Sequence, residues 1–112
     1  MVALENTDDL AACLARSAET PVLIFKHSTR CPVSSAAMRE MSDFVARTEA
    51  EVPVYLNLVV ESRAVSNEIA NVLGVRHESP QLLLVRNGEA TWHTSHGGIR
   101  AAAVSAAVAG PA

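Results

Sequence analysis

The sequence predicts an α/β domain: a four-stranded mixed sheet flanked by helices, with an extra helix at the N-terminus. Three observations carry that expectation. Short apolar runs alternate with segments of helical spacing in the order α-β-α-β-α-β-β-α. The first apolar run, Val22 to Phe25, leads through a short loop to Cys31-Pro32, where a helix begins. Asn87-Gly88 is a two-residue hairpin signal between the last two strands.

Taken in order, Thr7-Asp8-Asp9 opens the first helix, because Thr7 can cap it and the acidic pair suits the positive end of its dipole. That helix runs to about Arg16. Pro21 ends the following turn, and Val22 to Lys26 is a strand whose continuous apolar character marks it as buried. The second helix spans Pro32 to about Thr48, with Ala37, Met41, Phe44 and Val45 at helical spacing. Val52 to Val60 is a second central strand. Ser62 to Leu73 is a helix with Val65, Ile69, Val72 and Leu73 on one stripe and Gly74 as its stop. A loop through Ser79-Pro80 precedes the strand Leu82 to Arg86. Glu89 to Thr94 returns, and Gly97-Gly98 breaks the chain before a helix from about Ile99 to Ala109.

The 112 residues make one domain, 1–112, long enough for a single core. Only 4% are aromatic, so the interior is aliphatic and tightly scaled. A net charge of −3 with mixed signs argues against nucleic acid and membrane-surface partners. No apolar run reaches the ~20 residues that span a bilayer. Met1 to Asp9 lacks the basic-then-apolar layout of a signal peptide, so a cytoplasmic, monomeric protein is expected.

The chemistry centres on Cys31. Pro32 sits just inside the helix, where its missing N–H costs nothing. A thiol at the first turn faces unpaired backbone N–H groups and the positive end of the dipole, both of which favour thiolate. Arg30 and Lys26 add positive charge of the same effect. Ser34 fills the position of the second cysteine in a Cys-x-x-Cys motif, so this helix cannot close an internal disulfide, and its hydroxyl could support the thiolate. Attack must therefore end in a mixed disulfide that a second molecule of thiol, or another protein, resolves. Cys13 shares a helical face with Leu10 and Leu14 and is expected to be a buried small hydrophobe. His27, His93 and His96 have no finger-like spacing with a second cysteine, so neither a metal nor another cofactor is expected.

A cysteine opening the helix after the first strand, in this element order, is the thioredoxin-like arrangement. In that arrangement a cis proline precedes the third strand and lies against the cysteine, and Ser79-Pro80 holds its place. Ser79 and Gln81 bracket it, and the backbone beside the proline pairs with the bound thiol like an added strand. His77 and His96 lie on loops that converge on the cysteine in this fold. Ser95-His96-Gly97-Gly98 offers backbone N–H groups as a second anchor.

Phe25-Lys26-His27-Ser28-Thr29 with Cys31-Pro32-Val33-Ser34, then Val75 to Gln81, then Trp92-His93-Thr94-Ser95-His96 resemble the monothiol bacilliredoxins, thioredoxin-like proteins of the bacillithiol system. The likeness runs from about Leu14 to Ile99. The family pattern has threonine at Arg30 and isoleucine at Val33; the first departure bears on the thiol's reactivity and substrate preference. The resemblance implies removal of bacillithiol from S-thiolated proteins, with bacillithiol as substrate or co-substrate. It also implies that the malate group of bacillithiol meets Lys26, Arg30 and exposed N–H groups. Two other readings stand beside it: a thioredoxin-like binding module with an inert cysteine, and a stoichiometric redox sensor modified at Cys31. Replacing Cys31 separates the first from an enzyme, and turnover with excess bacillithiol separates the second.

Overall fold

A computed structural model describes residues 1–110. Its sheet has five strands in the order β1-β3-β2-β4-β5. The elements in chain order are β1 (Val2–Ala3), α1 (Thr7–Arg16), β2 (Val22–His27), α2 (Pro32–Arg47), β3 (Val54–Leu58), α3 (Arg63–Leu73), β4 (Gln81–Arg86), β5 (Glu89–Ser95), a 3-10 turn (His96–Gly98) and α4 (Ala101–Ala109). β1, β3 and β2 are mutually parallel; β4 runs antiparallel to β2, and β5 to β4.

The expected four strands are all present, and the fifth is the two-residue β1, which pairs Val2 with Tyr55 and Ala3 with Leu56. Two residues are too few for alternation to register, which is why the sequence pattern misses it. The first helix is capped by Asn6 rather than Thr7: the Asp9 N–H donates to Asn6 Oδ1 at 2.8 Å. β3 is shorter than the expected span, Val54–Leu58 instead of Val52 to Val60. α4 starts at Ala101 rather than Ile99, because His96–Gly98 first makes a 3-10 turn.

Local chemistry explains the breaks. Gly74 ends α3 at φ 65°, a left-handed conformation that glycine adopts without a Cβ penalty. Asn87 and Gly88, at φ 52° and 75°, turn β4 into β5, as a two-residue hairpin requires. That hairpin is pinned to the end of α1, since the Asn87 N–H donates to Ser17 O and the Gly88 N–H to Ser17 Oγ, both at 2.8 Å.

The two sheet faces carry separate cores. Val22 and Ile24 of β2 join Leu83, Val85, Tyr55 and the α1 and α3 residues Leu10, Cys13, Val65 and Ile69. Leu23 and Phe25 point the other way, to Leu82, Leu84, Val54 and the α2 and α4 residues Ala37, Met41, Phe44 and Val104. Strand parity then fixes the next two residues of β2. Lys26 belongs to the α1/α3 face and His27, stacked on Phe25 at 5.4 Å between ring centroids, to the α2/α4 face. No helix among the described residues is long and apolar enough to cross a membrane.

Candidate active site

Cys31 caps the N-terminus of α2 in an extended conformation and is half-buried. The first intrahelical bond runs from the Ser35 N–H to Cys31 O at 3.0 Å. Pro32 has no N–H, so the Val33 and Ser34 amides are the open donors beside the sulfur. No side chain caps this helix, which leaves the positive end of the dipole to the thiol itself. Arg30 is exposed on the preceding turn, where its amide donates to Ser28 Oγ at 3.4 Å.

Three loops meet at this end of the sheet. The register Lys26↔Gln81↔Ser95 brings the end of β2, the start of β4 and the end of β5 into one row. The chain segments beyond that row carry Cys31, Pro80 and His96. The Ser79–Pro80 bond is cis, as expected, and Pro80 is buried. Pro80 O accepts the His96 N–H at 3.0 Å, so the proline loop and the 3-10 turn are joined. His96 holds φ 52°, a conformation uncommon for a residue with a Cβ and often found at functional sites. A cleft of about 270 Å3 lies between α2 and that turn, lined by Val33, Ala36, Arg39, His96, Gly97 and Arg100 among others.

Two side chains stand differently from expectation. Ser34 makes no bond to Cys31. Its oxygen, fully buried, lies 2.7 Å from His27 Nδ1 and accepts the Ser28 N–H at 2.9 Å, so the hydroxyl braces the loop that presents the cysteine. Lys26 cannot meet a ligand at the thiol, because it is fully buried on the opposite sheet face with Nζ 3.1 Å from His77 Nδ1. Continuous burial of β2 hid this alternation in the sequence. His77 is thereby drawn under the sheet, where Ser66 Oγ also reaches its Nδ1 at 3.2 Å.

The other expected site residues divide between backbone and side-chain roles. The Gln81 side chain is buried and donates to Arg76 O at 3.0 Å, and Ser79 Oγ is buried without a partner. The Ser95 hydroxyl faces Glu78 and holds that carboxyl below its usual range, with His96 and Arg76 acting in the same direction. Gly97 is exposed. The amide of Ala101, which opens α4, is taken by Glu40 Oε1 at 2.9 Å, so the start of that helix is not a free anchor. Glu40 carried no sequence signal, since its partner lies 61 positions away.

Burial lowers the pKa of His27, and that of His77, where Lys26 and Arg63 add to the effect; both rings are neutral near pH 7. Cys13 is buried among aliphatic side chains, which pushes its thiol up to about 12 and makes it inert. Among the described residues no group of three or more His, Cys, Asp or Glu converges as a metal site would require.

The family model described as monothiol bacilliredoxin BrxC matches residues 2–104. The chain belongs to the monothiol bacilliredoxin family. A solved structure described as a candidate oxidoreductase with a thioredoxin fold is 30% identical, with a TM-score of 0.82 over 93% of this chain and 89% of that one. Thioredoxin from Fasciola hepatica superposes with a TM-score of 0.74 at 14% identity, covering 96% of each chain. A protein named Trxlp from Edwardsiella tarda gives 0.71 at 23% identity, over 96% of this chain and 98% of its own. The bacilliredoxin membership and the thioredoxin fold together support a thiol redox function, and the cysteine of this family member that is open to chemistry is Cys31.

Proposed function

We propose that the protein is a monothiol thiol–disulfide oxidoreductase that removes bacillithiol from S-thiolated proteins through a mixed disulfide at Cys31. The observation that carries this reading is the pairing of one reachable sulfur with a second that is sealed away. Cys31 opens α2 half-buried, Ser34 stands where a resolving cysteine would be, and Cys13 is buried in the core of the other sheet face.

The steps follow from that arrangement. The Cys31 thiolate attacks the bacillithiol sulfur of a protein mixed disulfide; the new S–S bond forms as the old one breaks, and the protein cysteine departs as thiolate and takes a proton from solvent. A second bacillithiol thiolate attacks the same sulfur, releases bacillithiol disulfide and restores the Cys31 thiolate. The incoming bacillithiol is the reductant: its sulfur is oxidised to the disulfide level as the protein cysteine returns to thiol, so no resident cofactor is required. The backbone of Ser79, beside the cis proline, pairs with the bound thiol, since Pro80 O already accepts the His96 N–H and Gln81 lies in the sheet. With Lys26 buried, the cations left to meet its malate are Arg30 and the cleft arginines Arg39 and Arg100, beside the His96 ring and the Gly97 amide. The setting is the cytoplasm, with a monomer acting on S-thiolated protein partners.

The test is the mass of the oxidised protein after exposure to bacillithiol disulfide, followed by turnover of a bacillithiolated model protein. One adduct at Cys31 is expected, with turnover abolished by Cys31→Ser and retained by Cys13→Ala. An adduct confined to Cys13, or turnover that survives Cys31→Ser, overturns the reading.

A further inference from the structure

A lysine buried without a carboxylate demands a reason. Lys26 has no measurable exposure, and among the described residues the ion pair present is Arg47–Asp43, far along α2. Lysine is almost never fully buried unless paired, because an ammonium taken out of water loses hydration that apolar surroundings cannot replace. Packing does not call for it: the same strand face is filled by Val22 and Ile24, and an apolar side chain would continue that layer at lower cost.

What Lys26 does hold is a loop. Its Nζ lies 3.1 Å from His77 Nδ1, and that nitrogen also receives Ser66 Oγ at 3.2 Å. An ammonium can only donate, so Nδ1 is the acceptor and the ring proton sits on Nε2. His77 stands midway between Gly74, where α3 stops, and the cis Pro80. The flanking strands reinforce the arrangement. Asn57 and Gln81 are the register partners of Lys26 on β3 and β4 and are as deeply buried. Their amide nitrogens donate to Ser62 O and Arg76 O, and their oxygens, Oδ1 and Oε1, have no other partner. Two buried carbonyl oxygens on the strands either side of Lys26 are thus left without a partner, in a row whose buried ammonium bonds to His77. Lys26 and Gln81 hold one segment, Arg76 to Gln81, from beneath the sheet, while Asn57 is tied to Ser62 and the His96 N–H holds Pro80 O from the other end.

We propose that the Lys26–His77 bond is a latch that fixes the cis-proline loop where the bound disulfide pairs with it, which makes Lys26 a positioning residue; this rests on the exchange reaction proposed above. Lys26 touches neither substrate nor sulfur. It acts through His77 on backbone that does. Stability given up to a buried charge is converted into a fixed binding edge.

The experiment compares wild type with Lys26→Met, His77→Leu and the double variant. Amide hydrogen exchange of residues 75–81 reads the latch, and kinetics on a bacillithiolated protein read its use. Lys26→Met is expected to fold with equal or higher stability, since an apolar replacement relieves the buried charge. Exchange of 75–81 should rise about ten-fold while β2 and α2 stay protected. KM should rise about ten-fold, with kcat and the rate of Cys31 alkylation by iodoacetamide changed less than about two-fold. The double variant should match either single one, since both break the same bond. Protected 75–81 amides in Lys26→Met, an unchanged KM, or a double variant whose effects multiply overturns the latch. A wild-type protein without turnover sinks the exchange reaction instead, and the amides still report on the loop by themselves.

Discussion

At the level of single residues, the site depends on side chains that never touch a substrate. Ser34 holds the place of a resolving cysteine, yet its work is mechanical: one oxygen ties the end of β2 to the first turn of α2 through His27 and Ser28. Removing it in Ser34→Ala leaves the Ser28 N–H and His27 Nδ1 buried without a partner. A loss of about 1–3 kcal/mol in unfolding free energy is expected, read by urea denaturation. The adduct at Cys31 should still form, because the sulfur keeps its helix terminus; a variant as stable as wild type would show that the hydroxyl bonds are replaced by water. Cys13 is the opposite case, a thiol whose surroundings deny it chemistry. The sequence made the contrast between the two cysteines readable, since one lies on an apolar helical face and the other beside Pro32 at a helix start. It could not assign Ser34, because the choice between sulfur and His27 as its partner is made by side-chain direction.

Among the elements, the turns carry the most information. Pro32, Gly74 and Asn87-Gly88 each mark a boundary that the fold uses, because each changes what the backbone can do locally. Boundaries set by partners distant in sequence were not legible. β1 exists through its pairing with β3, and α4 begins where Glu40 reaches the Ala101 amide. The side of the sheet taken by Lys26 was equally hidden, since a strand buried on both faces shows no alternation. The 3-10 turn gives a sharp case at this level. A Cβ on Gly98 would run into Thr94 Oγ1, whereas one on Gly97 would meet nothing within 4 Å. Gly98→Ala is therefore expected to cost about 1–3 kcal/mol by forcing Thr94 or the turn to move. Gly97→Ala should stay within about 0.5 kcal/mol in stability. Thermal melts of the two variants decide it, and equal costs would mean that the turn absorbs the methyl freely.

For the molecule as a whole, two buried groups on the same sheet face set opposing responses to alkali. Burial pushes Lys26 down to about 8 and Cys13 up to about 12. The unfolded lysine keeps its proton to about pH 10.4, so between about 8 and 10.4 the unfolded chain binds the extra proton and stability rises with pH. The contribution is complete above the unfolded value and is lost as pH falls through about 8. For Cys13 the sign reverses. The folded thiol keeps a proton that the unfolded one loses near pH 8.5, so stability falls from there toward 12. Each slope approaches about 1.4 kcal/mol per pH unit where the two states differ by a full proton. In the overlap the two nearly cancel, and wild type should be close to flat between about pH 9 and 10. Lys26→Met leaves the cysteine unopposed and should lose stability across that interval, whereas Cys13→Ala should gain it. Urea denaturation of the three proteins at pH 8, 9 and 10 reads the slopes, and the offset caused by each substitution drops out. Parallel curves for wild type and Lys26→Met would mean that the ammonium under the cis-proline loop titrates as if it were in water, and that the sheet does not hold it as tightly as its burial requires.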